Sequence, residues 1–171
     1  MRVESTAADP EIRQIEPRKL VGKREPMSLA EDKTFELFRS FGPRTKEIQD
    51  RVSPDTYCVR IFRGGIDMES FTPNTVFEKW AAVEVSSFEN VPADLEPLTI
   101  PAGEYAVFVH KGPASTFFQT SEPLFRKWLE ASGFEIDERP HFEILGVGYR
   151  PDSQNAEEEI WFPVRKMAPH R

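Results

Sequence analysis

An order of elements, strand, helix, strand, strand, is written twice in this chain. In the first round, alternation of apolar and polar residues marks strands around 19–24, over 56–63 and over 77–85. Between the first two, Phe35, Leu37, Phe38, Phe41 and Ile48 fall mostly three or four apart. That spacing predicts a helix from an Asp32 cap to about Asp50, interrupted at Gly42-Pro43. The second round opens with a strand or bent strand pair over 98–111, turned at Pro101-Ala102-Gly103. A helix over 114–132 follows, with Phe117, Phe118, Leu124, Phe125, Trp128 and Leu129 as its buried side. Pro123 suits the first turn of a restart capped by Ser121, and Gly133 suits its stop. Two more strands lie within Arg139–Lys166. Each round can lay its helix on one face of its sheet. The expected fold is therefore α+β: a tandem pseudo-twofold strand-helix-strand-strand repeat, with helices on one side of antiparallel sheets and a ligand cleft between the halves. The expected boundaries are a flexible arm over 1–11, one domain over 12–166 with halves of about 12–86 and 98–166, and a tail over 167–171.

The last two strands carry acids among large apolar groups. His141, Glu143, Leu145 and Val147 share one face of the first, opposite Phe142, Ile144 and Gly146. Glu157, Glu159 and Trp161 share a face of the second, opposite Glu158, Ile160 and Phe162. A carboxylate in apolar surroundings costs free energy unless a partner offsets it, and a ligand is one such partner. If Phe142 and Ile144 pack on the second helix, Glu143 and Leu145 face the cleft. By the same logic Trp80, Glu84, Glu159 and Trp161 face it, with Tyr57 and Tyr105 at its rim. A slip of one residue exchanges the faces, so the pattern alone leaves this assignment open. Glu157 and Glu158 read as a solvated strand start, and Trp128 as helix core.

Three segments, PAGEYAVFVHKG (Pro101–Gly112), WLEASGFEIDERPHFEILG (Trp128–Gly146) and EEEIWFPV (Glu157–Val164), resemble the GyrI-like small-molecule-binding domain over roughly residues 12–166. That domain also forms the effector-binding part of AraC-type and multidrug-responsive regulators. The resemblance implies the same tandem repeat. It also implies a bulky, apolar, cationic guest held between the halves by a glutamate among aromatic rings. It puts that role on Glu143, in HFEIL, with Glu159 as the runner-up. Members that hydrolyse strained cyclopropane compounds imply a second reading, in which two of Glu143, Glu84 and Glu159 activate a water. No helix-turn-helix pattern precedes the repeat, so a stand-alone binding protein is expected, with a protein partner left open.

Other chemistries find no support. A net charge of −7 argues against a nucleic-acid surface, which needs a clustered basic face. The single cysteine, Cys58, excludes an internal disulfide and sits in a strand pattern as a small apolar group. His110 and His141 stand alone in strands, which favours structural roles, and no His, Cys and acid cluster has metal spacing. No metal and no cofactor are expected. No apolar run reaches the ~18 residues of a membrane span, and the cytoplasm is the expected compartment.

Overall fold

The computed structural model describes residues 9–65 and 69–168, without the side chains of Phe118 and Gln119. Most of the expected N-terminal arm, the centre of the 64–75 loop and the end of the tail therefore lie outside the described residues. The chain forms β1 (Glu11–Ile15), β2 (Arg18–Met27), α1 (Thr34–Phe41), β3 (Thr56–Ile61) and β4 (Phe77–Val85). It continues with β5 (Glu96–Ile100), β6 (Gly103–Lys111), α2 (Phe117–Ser132), β7 (Phe134–Ile136), β8 (His141–Leu145) and β9 (Glu157–Lys166).

All ladders are antiparallel, in the order β1-β6-β9-β8-β3-β4-β2-β5, with β7 beside β9. The expected repeat is present: β2, α1, β3 and β4 match β6, α2, β8 and β9, and the halves meet where β3 pairs with β8. A small detail repeats as well. The Trp80 indole donates to Glu78 at 2.8 Å, and the Trp161 indole donates to Glu159 at 3.2 Å, in each case two residues back.

The edge strands are exchanged. β1 leads into β2 yet pairs with β6, while β5 leads into β6 yet pairs with β2. Only Glu16 and Pro17 join β1 to β2, a reach of about 11 Å. In a flat sheet the six strand spacings between them would measure about 29 Å. The sheet must curl until its ends meet. Inside the curl Ile15, Leu20, Tyr57, Val59, Trp80, Ile100, Tyr105, Phe142 and Trp161 form one continuous cluster. Gly22 supports this bend. A Cβ there would meet Ala82 Cα and Cβ at 2.7 Å, and the backbone oxygen of Ala81 more closely still. Because the obstacle is largely backbone, Gly22→Ala is expected to cost about 3 kcal/mol or more, read as a lower urea midpoint. A loss below about 1 kcal/mol would show that the bend does not need this glycine.

Both helices lie on the outer face, as expected. Leu37 and Phe41 of α1 pack on Val21, Met27, Phe77, Ala81 and Val83. Phe117 and Phe125 of α2 pack on Ala106, Ile160, Phe162 and Val164.

Several local expectations are corrected. α1 ends at Phe41 and continues only as a 3₁₀ turn over Gly42–Glu47, because Pro43 cannot extend the α-helical ladder. Asp32 still accepts from the Thr34 amide at 2.9 Å. Pro123 lies inside an unbroken α2, and Ser121 bonds His110 rather than capping a restart. Phe35 and Leu124, expected on buried stripes, are 72% and 50% exposed. Glu11 belongs to a strand rather than to the arm.

Candidate functional site

The residues expected to line one cleft divide between the two faces of the sheet. Inside the curl stand Tyr57, Trp80, Glu84, Tyr105, Glu159 and Trp161; on the outer face stand Glu143 and Leu145. The correction concerns β8, where Phe142 and Ile144 turn inward rather than onto α2. Phe142 pairs across the ladders with Val59 and Trp161 and is fully buried among Tyr57, Tyr105 and Trp161, with centroids 5.1–5.6 Å away.

The centre of the inner face is filled by the buried cluster. It holds an acid and aromatic rings, but its cation is the chain's own Arg18. That guanidinium lies 4.9 Å from the Trp161 centroid and donates to the Tyr57 hydroxyl at 2.9 Å. Tyr57 donates in turn to Glu84 at 3.0 Å. Burial, with the Glu84 charge added, raises the Tyr57 hydroxyl's pKa and keeps it protonated. Rings expected to meet a foreign cation thus hold an internal one, without Glu143.

The outer face leaves a strip between the helices, floored by β3 and β8. Period-2 alternation brings Cys58 and Arg60 of β3, His141 and Glu143 of β8, and Glu158 of β9 to this side. The Arg60 Nη2 lies 2.6 Å from Glu143 Oε1, and both side chains are only 15% exposed. Glu158, expected as a solvated strand start, is buried, because it shares a face with Ile160 and Phe162. The two carboxyls hydrogen-bond each other, and the Tyr149 hydroxyl donates to Glu158 at 3.4 Å.

Burial and then the neighbouring Glu143 charge push Glu158 up to about 9, so it holds a proton at neutral pH. Burial also pushes Glu143 upward, but the Arg60 guanidinium and the hydrogen bond from Glu158 outweigh it and keep Glu143 ionised. Burial, with Arg60 and Arg139 nearby, depresses His141 to about 3, so its imidazole is neutral. The Cys58 thiol, raised to about 12 by burial, is not a nucleophile at neutral pH. His110 is structural: Nε2–H donates to the Pro113 carbonyl at 3.0 Å, so Nδ1 accepts from Ser121 at 2.7 Å.

Beside Arg60 the strip opens into a cavity of about 180 Å³. Phe62, Phe71, Phe117 and Phe162 line it with His141 and Arg60, and Glu122 and Arg126 of α2 stand at its wall. His141 is 3% exposed, and its ring stands edge-on to Phe62 and Phe162 at centroid distances of 5.0 and 5.6 Å. A larger groove of about 890 Å³ runs along the outer flank of α2 and the β1–β6 edge, away from the junction of the halves. Sequence reasoning missed Arg60, Glu158 and the four phenylalanines. The available signal was an arginine inside TYCVRIF, as anomalous there as a glutamate inside HFEIL. Among the described residues no group of His, Cys, Asp or Glu could hold a metal, and no helix is long and apolar enough to cross a membrane.

Comparison with known proteins agrees with this architecture. The family model described as the GyrI-like small molecule binding domain matches residues 8–165. The transcriptional regulator BrlR of Pseudomonas aeruginosa is 28% identical over 134 residues, covering 78% of this chain and 47% of that protein. The chain thus spans about half the length of the curated relative it matches. The structure of SAV2435 bound to tetraphenylphosphonium is similar, with TM-score 0.62, 16% identity, and coverage of 92% of this chain and 94% of that one. A hydrolase encoded by lin2189 from Listeria innocua is similar at TM-score 0.59 and 13% identity, covering 91% of each chain.

Proposed function

Because the chain belongs to the GyrI-like small-molecule-binding domain family, we propose that it binds a monocationic, aromatic or apolar small molecule in the cleft between its helices, with Glu143 as the charge anchor. The observation that carries this reading is an ionised carboxylate sheltered on the cleft floor next to a cavity walled by four phenylalanines. With Glu158 protonated, the acid pair presents one negative charge. Aromatic faces add about 0.5–2 kcal/mol per good cation contact. The likeness to a protein solved with tetraphenylphosphonium supports a cationic guest. In calorimetric titration with tetraphenylphosphonium and the smaller benzyltrimethylammonium, Glu143→Gln is expected to weaken binding at least tenfold, about 1.4 kcal/mol. Equal affinity of variant and wild type would remove Glu143 as the anchor.

One observation favours a second reading. A protonated Glu158 beside an ionised Glu143 is an acid and a base held apart by environment, the arrangement that hydrolysis of a strained ring requires. Turnover of a cyclopropane-bearing alkylating compound, lost in both Glu143→Gln and Glu158→Gln, is then expected. Binding of such compounds without turnover would rule it out.

A further inference from the structure

The cleft floor already contains a cation. Arg60 stands between the acid pair and the aromatic cavity: its guanidinium touches Glu143 and its side chain lines the cavity wall. It is held differently from Arg139 and Arg18. Arg139 donates to Asp137, to the Glu104 carbonyl and to the Val164 carbonyl at 2.8, 2.8 and 3.0 Å. Arg18 is fixed by Tyr57 and by the Trp161 and Phe142 rings. Arg60 has the charge contact alone: its buried Nε and Nη2 find no aligned acceptor. An ion pair without hydrogen-bond alignment fixes position weakly, because the attraction varies slowly with angle while the directional part is missing. The cavity beside it, at about 180 Å³, is smaller than the roughly 300–1,000 Å³ typical of ligand sites.

We propose that Arg60 is a displaceable stand-in for the guest's cation. Binding exchanges one positive charge on Glu143 for another, and withdrawal of the Arg60 side chain joins the cavity to the acid pair. This rests on Glu143 being the anchor and deepens that reading. Two consequences follow from the exchange. The buried carboxylate is never left unpaired, which would be costly. The guest must also outcompete an internal cation, so a bare small cation is rejected, whereas one carrying rings gains the phenylalanine walls. Glu122 lines the same cavity; its Oε1 accepts from Arg126 at 2.8 and 3.1 Å, and its Oε2 offers the withdrawn guanidinium an acceptor.

The test is calorimetric titration of the wild type, Arg60→Met, and the double variant Arg60→Met/Glu143→Gln with tetraphenylphosphonium and benzyltrimethylammonium. Arg60→Met is expected to bind at least one of them tenfold or more tighter than the wild type, and the double variant is expected to lose that gain. A wild type that binds and an Arg60→Met that binds equally or more weakly would overturn the exchange while leaving the binding reading intact. If neither protein binds either cation, the binding reading fails and the exchange with it. Should Arg60→Met not fold, Arg60→Lys replaces it in the same titration. A lysine keeps the charge on a different, non-planar head, and a gain of threefold or more is expected. No gain would overturn the proposal.

Discussion

Phe142→Ala is expected to cost about 3–5 kcal/mol of folding free energy, the range for removing a large aromatic side chain from a packed core. Phe142 is fully buried at the centre of the curl, against Tyr57, Tyr105 and Trp161. It belongs to β8, one of the two strands that join the halves, so the cavity it leaves opens at the seam itself. The surrounding rings come from β3, β6 and β9 and cannot all move inward without breaking ladder register. Against a typical total of 5–15 kcal/mol, the variant should be marginal at room temperature. Urea unfolding followed by far-ultraviolet circular dichroism reads the effect. Phe35→Ala is the control: that ring is 72% exposed and its loss is expected to stay within about 0.5 kcal/mol. Comparable losses at the two positions would contradict the inward orientation of β8.

The same residue shows where the amino-acid pattern stops being informative. Phe142 and Ile144 were expected against α2, yet they face inward. Strands at the middle of this sheet are covered on both faces, by the inner cluster and by the helix-bearing side, so apolar residues occur at both phases. Alternation then no longer points to one core. On β4 the alternation is legible, with Trp80 away from the helix side and Phe77, Ala81 and Val83 toward it, and the matching order of the two halves is legible from the succession of elements. The exchange of β1 and β5 was not legible, since it depends on pairing between distant segments and on a curl that no local window encodes. Prolines 17 and 101 mark the two crossings without revealing which edge each strand joins.

The candidate site divides in the same way. Glu143 stands out in the sequence as an acid among apolar groups, and in the structure it is largely buried against Arg60 and Glu158. The aromatic and acidic residues chosen beside it, from Tyr57 to Trp161, were recognised as a cation-holding set, but their cation is Arg18. Composition distinguishes a cage from a solvated strand; it does not distinguish an internal arginine from a foreign cation. Arg60 escapes a sequence reading, and Glu158 reads as solvated, because charged residues in strands are usually exposed. Glu158 was hidden further in a run of three glutamates, where only the phase set by Ile160 and Phe162 identifies the inward member.

Glu158 should also set the pH dependence of stability. Its carboxyl titrates near 9 in the fold, from burial and the Glu143 charge, against about 4.3 when unfolded. The folded protein therefore binds more protons than the unfolded chain between those values. Its contribution is complete below about pH 4.3 and falls as pH rises towards 9, with a slope approaching 1.4 kcal/mol per pH unit. His141 acts in the opposite sense. Depressed to about 3, it binds fewer protons folded than unfolded up to about pH 6.5, so its contribution grows with pH across that interval. The two slopes oppose each other below about pH 6.5, and the net loss is concentrated from there to about pH 9. Glu143, Glu78 and Asp137, all held below their ordinary values, lose their contributions only in acid. The groups facing Glu158 are Glu143 on β8, Arg60 and Cys58 on β3, His110 opposite it on β6, and Tyr149 in the loop between β8 and β9; the Tyr149 hydroxyl and the Cys58 thiol are raised by burial and titrate above this window. Glu158→Gln keeps an N–H donor for Glu143 and removes the titration. Its unfolding free energy should stay level between about pH 6.5 and 9, while that of the wild type falls by several kcal/mol. Denaturant curves at steps across this range measure the difference, and parallel declines in both proteins would mean that Glu158 is already ionised in the fold.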